Sequence, residues 1–159
     1  MTANIVNQTN VSCQGGDNGS VTVAGWGGTL PYVYSLDGGL SQASGTFSSL
    51  SAGTYTIKVR DVAMDVFDVT VTIAETEAMN IAVSGEDVHC YGGRTGSVTA
   101  IVTGGTAPFS YSWNTVPEQM TSTATGLPAG TYTVTVTDVN GCISSNSVII
   151  SQPGVDMVI

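Results

Sequence analysis

Short runs in which apolar and polar residues alternate recur along this chain. The clearest is Tyr-Thr-Val-Thr-Val-Thr from Tyr132 to Thr137, and its counterpart upstream is Tyr-Thr-Ile-Lys-Val-Arg from Tyr55 to Arg60. A period of two marks a β-strand with one face buried and one face solvated. It points Tyr55, Ile57 and Val59 inward in one run, and Tyr132, Val134 and Val136 inward in the other. Thr56, Lys58 and Arg60, and Thr133, Thr135 and Thr137, then face out. Both runs start just after an Ala-Gly pair and stop at an aspartate, Asp61 or Asp138. No stretch carries a 3.6-residue apolar period, and helix-favouring residues are scarce, so the chain reads as all-β.

The two runs belong to a long internal repeat. Shifting the sequence by 77 positions lays Val11–Glu75 on Val88–Gln152 without a gap, with roughly four positions in ten identical over the window, the mark of an array. Cys13 falls on Cys90, Gly19 on Gly96, Pro31 on Pro108, Tyr34 on Tyr111 and Asp61 on Asp138. The repeats are expected over 1–77 and 78–154, with 155–159 as the start of a third unit or a terminal strand. That tail, and the lack of a leader after Met1, suggest an excised piece of a longer tandem array in which Met1 is an added start.

Each unit opens with a short apolar strand, Ile5-Val6 or Met79 to Val83. A Cys-X-Gly-Gly loop follows, then a strand over Ser20–Ala24 or Ser97–Thr103 with Val21 and Val23, or Val98, Ala100 and Val102, inward. A Gly-Gly-Thr-X-Pro turn leads to Tyr32–Leu36 or Phe109–Trp113. The middle segment, Asp37–Ser49 or Asn114–Gly126, is expected to hold one or two short edge strands. The alternating run comes next, and last a strand over Phe67–Ile73 or Val148–Ile150. Six or seven short strands in about 75 residues predict two small Ig-like, Greek-key β-sandwiches, arranged end to end. Units of this size sit near the lower limit for a self-sufficient core.

Charge narrows the function. Lys58, Arg60 and Arg94 are the only basic side chains against a formal net charge of -9, and charged residues make up 9% of the chain. A nucleic-acid ligand needs a basic footprint, so nucleic acid is not an expected partner. No apolar stretch is long enough for direct membrane insertion as a helix. A sparsely charged, Thr- and Ser-rich surface suits a secreted β-protein.

The candidate chemistry is thin. One histidine, His89, and no repeated Ser/His/Asp context leave no expected catalytic residues and no enzyme. Cys90 and Cys142 are the candidate disulfide of the second unit, which would close a loop of about 50 residues and add a few kcal/mol. The alternative is that all three cysteines are reduced and buried. Asp138 and Asn140 supply oxygens at a turn and are candidate calcium ligands, as are Asp17-Asn18 and the acids Glu75, Glu77, Glu86 and Asp87 near the junction. No other cofactor is implied. Trp113 replaces Leu36 and reads as core. Trp26, which alternation places outward, and Tyr91, in the loop after Cys90, are candidate aromatic contacts for a sugar ring. Lys58, the sole lysine, faces outward and is a poor partner for an isopeptide bond.

C-x-G-G-x-x-G-S-V-T, G-G-T-x-P-[YF]-x-Y-S-[WL], L-x-A-G-T-Y-T-[VI]-x-V-x-D, and N-G-C in the second unit together resemble the SprB-type repeat of very large surface adhesins in gliding Bacteroidetes. The resemblance covers nearly the whole chain, twice. It implies export by the type IX secretion route, display at the bacterial outer surface, and a filament that adheres to the substratum during gliding motility. Its implied partners are neighbouring repeats of the same chain and extracellular polysaccharide or substratum. The alternative is a non-catalytic glycan-binding module of a secreted polysaccharide-acting protein. Unit one departs from the pattern at Ala63-Met64-Asp65, where unit two has Asn140-Gly141-Cys142.

Overall fold

The computed structural model describes residues 1–154, so the expected third-unit strand at 155–159 lies outside the described residues. The chain divides into two compact units, Met1–Thr76 and Glu77–Ile159. Unit one has six strands: Thr2–Thr9 (β1), Gly19–Trp26 (β2), Val33–Leu36 (β3), Thr46–Leu50 (β4), Gly53–Arg60 (β5) and Val66–Ile73 (β6). They form two antiparallel three-stranded sheets, ordered β1-β2-β4 and β3-β5-β6. Unit two repeats the plan with Asn80–Glu86 (β7), Gly96–Thr103 (β8), Ser110–Trp113 (β9), Thr123–Leu127 (β10), Gly130–Thr137 (β11) and Ile143–Ile150 (β12). Its sheets are β7-β8-β10 and β9-β11-β12. Each unit is a β-sandwich of the immunoglobulin type: the first two and the last two strands pair as neighbours within a sheet, and the chain crosses between the sheets at each connection in the middle.

The alternating runs sort their side chains as the period predicts. Ile57, Val59, Val134 and Val136 are fully buried, and Val21, Val23, Val98 and Ala100 meet them from the opposite sheet. Tyr132 is buried and Tyr55 packs against the edge of its core. The middle segment supplies one strand in each unit, plus an isolated bridge from Tyr34 to Gln42 or from Trp113 to Gln119. The last strand of unit two is longer than the sequence suggests. Ser144–Ser147 has no apolar alternation, yet it continues the full ladder with β11. Asn146 fixes it further by donating from Nδ2 to Ile81 O (2.8 Å).

Two side-chain devices hold the strands in register. The first lies at the turn into the penultimate strand. Tyr55 Oη donates to Ser51 O (2.9 Å), and Tyr132 Oη donates to Pro128 O (2.8 Å). A tyrosine near the start of this strand, bonded to backbone a few residues upstream, is the tyrosine corner of immunoglobulin-type sandwiches. Its hydroxyl satisfies a carbonyl in the sharp turn between the sheets. Tyr132→Phe should therefore cost about 0.5–1.5 kcal/mol, the net worth of one hydrogen bond, read as a lower urea midpoint with unchanged slope. An unaltered midpoint would remove the corner's energetic role.

The second device joins the two sheets at one edge. After its pairing with β2, the chain beyond β1 switches to run beside the end of β6: Val11 bridges Glu75 in parallel, and Val11 N donates to Ala74 O (2.9 Å). In unit two Val88 N donates to Ser151 O (2.9 Å). Side chains clasp the switch. Asn10 Oδ1 accepts from Ala74 N and Glu75 Oε2 from Gly15 N; in unit two Asp87 Oδ1 accepts from Ser151 N and Gln152 Oε1 from Gly92 N. The Cys-X-Gly-Gly motif is the turn that follows. Gly16 N donates to Cys13 O and Gly93 N to Cys90 O, both at 3.0 Å, with Gly15 and Gly92 at φ 72° and 69°. A β-turn with positive φ at its third residue demands glycine there, which accounts for the first Gly of the motif.

Candidate functional site

The repeated aspartate that follows β5 and β11 accepts from several backbone amides in each unit. Asp138 is 5% exposed. Its Oδ1 accepts from Asn140 N and Cys142 N (2.9 Å each), and its Oδ2 accepts from Thr106 N (3.0 Å). Asp61 repeats this with Asp65 N on Oδ1 and Thr29 N on Oδ2 (2.9 Å each). Backbone bonds run alongside: Val139 N to Thr106 O in unit two, Val62 N to Thr29 O in unit one. The carboxylate thus ties its own turn to the Gly-Gly-Thr-X-Pro loop of the other sheet. The glycine before that threonine is part of the fit, since a Cβ on Gly28 would come within 2.7 Å of Asp61 Oδ2.

This arrangement sets the acidity of both groups. For Asp138, burial alone pushes the carboxyl up, but the amides of Cys142, Thr106, Asn140 and Gly141 together outweigh it and hold the group below the usual carboxylate range. For Asp61 the Thr29 amide leads, burial opposes it, and the Asp65 and Ala63 amides and the N-terminal charge add to the lowering. Amides converging on a carboxylate favour the anion. They also take the lone pairs that a cation would need. Asn140 contributes its N–H here, which is a donor and not a ligand. The pair Asp138 and Asn140 is built as a loop tie in which a calcium ion would compete with three backbone donors. Glu75 and Asp87 likewise spend carboxylate oxygens on backbone amides. Asn18 bonds to Ser12 through both its Oδ1 and Nδ2, and Glu86 Oε2 accepts from Ser97 Oγ. Among the described residues no group of three His, Cys, Asp or Glu side chains converges on a metal-sized space.

The expected Cys90–Cys142 disulfide is not formed: Cys90 is an exposed free thiol. The reason is geometric. Cys90 sits in the turn beside the exit end of β12, where Val88 and Gly92 bond to Ser151 and Gln152. Cys142 precedes the entry residue of the same strand, Ile143. An eight-residue strand rising about 3.4 Å per residue puts roughly 25 Å between its ends, whereas a disulfide needs Cα atoms within about 7 Å. Alkylation of the native protein under non-reducing conditions should label Cys90, and a peptide map containing Cys90 linked to Cys142 would contradict this placement.

The aromatic candidates are exposed on separate units. Trp26 is 55% exposed at the end of β2, and its Nε1 donates to Asn4 Oδ1 on β1. Tyr91 is 61% exposed at the second position of the Cys-X-Gly-Gly turn. His89 shares a hydrogen bond with Thr95 Oγ1. None of these residues lines the groove that unit two does possess. This groove, of about 660 Å³, runs between the 114–117 loop and the end of β10 with Pro128, and Arg94 and Tyr132 also line it. Sequence reading passed over it because its residues come from the least repeated segment. The one signal available was Arg94 standing where unit one has Asp17.

A protein-family model described as SprB repeat matches residues 5–41 and again residues 82–117. Each match takes in the Cys-X-Gly-Gly turn, the Gly-Gly-Thr-X-Pro loop and the strand after it. No curated protein matches the chain. Among solved structures, a C-terminal 282-residue fragment of intimin, in complex with the intimin-binding domain of the translocated intimin receptor, is similar over 94% of this chain and 63% of that one, with 14% identity and a TM-score of 0.48. The amphioxus IgVJ-C2 molecule is similar over 89% and 99%, with 16% identity and a TM-score of 0.42. DIP-gamma IG1+IG2 is similar over 97% and 99%, with 12% identity and a TM-score of 0.42. The chain carries the SprB repeat twice, once in each unit.

Proposed function

We propose that this chain is a segment of a cell-surface adhesin, in which its repeats act as spacer and as contact surface during gliding motility. The observation that carries the reading is repetition itself. Two units share one set of turn, loop and strand devices, and a family model of surface-protein repeats matches both. The shared polar devices serve the fold: the aspartate ties loops, the tyrosine closes a corner, and the cysteine motif makes a turn. Differences on the outward surface include Lys58 against Thr135, Arg60 against Thr137 and Asp17 against Arg94. That is the distribution expected of a scaffold that presents variable faces, and it is a poor basis for a repeated catalytic centre. No helix among the described residues is long and apolar enough to cross a membrane. Export by the type IX route belongs to the same proposal.

The test uses antibody fragments raised against the two-unit chain. They should label intact, unpermeabilised cells of the source organism and slow attachment or gliding. Labelling confined to permeabilised cells would overturn the surface assignment; surface labelling with unaltered attachment and movement would overturn the adhesive one.

A further inference from the structure

Arg94 is the sole basic residue of unit two. It is exposed, and among the described residues the recorded ion pair is Lys58–Asp68, so Arg94 has no carboxylate partner. It forms one wall of the unit-two groove. The rest of the lining is uncharged: Asn114, Thr115 and Gln119 are polar, and Val116, Pro117 and Pro128 offer apolar surface. In a chain of net charge -9, a groove with one unpaired cation and no carboxylate is a local reversal of field. Its volume falls within the range of small-ligand sites.

The walls are fixed before any ligand arrives. Asn114 Oδ1 accepts from Thr133 N (2.8 Å), and Thr115 Oγ1 accepts from Gln119 N (3.0 Å). The Gln119 side chain spans to β10, donating to Thr125 O and accepting from Thr125 N (3.0 Å each). Tyr132 closes the floor through its bond to Pro128 O. A preformed site loses less entropy on binding than one that must order its loops. Unit one keeps the Oδ1 bond, from Thr56 N to Asp37, and the tyrosine corner, but its charge and bulk differ at the matching positions: Asp17 stands for Arg94, Asp37 for Asn114, and Gly38-Gly39 for Thr115-Val116. Two acids there would repel what Arg94 attracts.

We infer that the groove of unit two binds a stretch of carboxylate-bearing polysaccharide, a uronic-acid chain, with Arg94 pairing the carboxylate. A planar guanidinium matches a carboxylate in bidentate fashion. A pyranose ring carries apolar C–H faces and hydroxyls together, which is the mixture that Val116, Pro117 and Pro128 present beside Thr115. The groove opens to solvent, which suits an internal stretch of a polymer. The inference rests on the surface-adhesin reading and names the chemistry of its contact.

The test is calorimetric titration of the whole chain with oligogalacturonate, with its fully methyl-esterified form, and with oligoglutamate. The expected result is saturable binding of the uronate. Arg94→Asp, which installs the residue of unit one at an exposed position, should weaken it by about tenfold or more, as loss of a charge-assisted contact does. The ester should bind as weakly as the variant does. No binding of the uronate at millimolar concentration, equal binding by Arg94→Asp, or equal binding of the ester would each overturn the inference. Oligoglutamate binding as tightly as the uronate would overturn the assignment to a saccharide. Failure of the groove leaves the antibody result standing, and failure of surface labelling leaves the titration standing, so the two readings fall separately.

Discussion

Trp113→Ala should destabilise unit two by about 3–5 kcal/mol, the cost of deleting a large aromatic from a packed core. Trp113 is 1% exposed, and its indole Nε1 donates to Thr121 O (2.9 Å) in the middle segment. Truncation would open a cavity among Val98, Ala100, Val134 and Val136, all members of the same core, and would leave the Thr121 carbonyl without its donor. A unit of this size has about 5–10 kcal/mol in hand at most, so the variant should stand close to unfolding at 37 °C. Amide exchange in β11 should accelerate by several orders of magnitude. Trp113→Leu, which restores the residue found at Leu36 in unit one, should recover part of the loss by filling part of the cavity. A destabilisation below about 1 kcal/mol for the alanine variant would mean that the core collapses freely around the site.

Trp113 also shows how far the alternating pattern reaches. Immunoglobulin-type sandwiches place a buried tryptophan on the strand that Val33–Leu36 and Ser110–Trp113 occupy here, packed on a disulfide between the two sheets. In this chain the disulfide positions are taken by aliphatic residues, Val98 or Ala100 facing Val134 or Val136. A period of two was enough to find these faces, because burial on one side of a strand is a local property. It was enough to place Trp26 outside, while alignment with Leu36 placed Trp113 inside. It failed over Ser144–Ser147, where the strand is held by its ladder to β11 and by Asn146 and not by apolar burial.

The disulfide was misread for a related reason. Pairing Cys90 with Cys142 rests on their lying in one unit with a small core and a secreted-looking composition, none of which says at which end of a sandwich each emerges. Once the direction of β12 is known, the two cysteines belong to opposite ends. The aspartate was half legible. Its recurrence at the end of the same strand is plain in the sequence, and turns favour aspartate, but an acid at a turn suits a calcium ligand equally well. Its partner, the amide of Thr29 or Thr106, lies 32 residues upstream, a distance across sheets that no local pattern encodes. The tyrosine corner was hidden in plain view, since Tyr55 and Tyr132 read equally well as ordinary inward residues. The groove was the least legible of all, built as it is from the stretch where the repeats diverge.

The aspartate tie carries the other large effect, and its signature is the dependence on pH. Because the folded state holds Asp61 and Asp138 below the ordinary carboxylate value, their contribution to stability is complete above the unfolded pKa of about 3.9. It is lost as pH falls through the lower folded value, where protonation removes the charge that the amides were stabilising. Thermal melts of the native chain should therefore hold steady through neutral pH and fall steeply below about pH 4. Asp138→Asn keeps the size and loses the charge. Its one oxygen cannot serve Asn140, Cys142 and Thr106 together, and its NH2 group would face at least one N–H donor. The variant should melt well below the native chain at pH 7, and its acid-side fall should be shallower. At a pH low enough to protonate Asp138 the two curves should approach each other, because the native carboxyl then also carries a proton where an amide donates. Parallel curves from neutral to acid pH would show that the carboxylate charge contributes nothing and that Asp138 acts by shape alone. Asp61→Asn makes the same comparison in unit one, where the Thr29 amide is the leading cause of the shift. There the loop Gly28 packs directly on the carboxylate, so loss of the charge should be felt as loosening of the Gly-Gly-Thr-X-Pro loop, visible as faster exchange of the Thr29 amide.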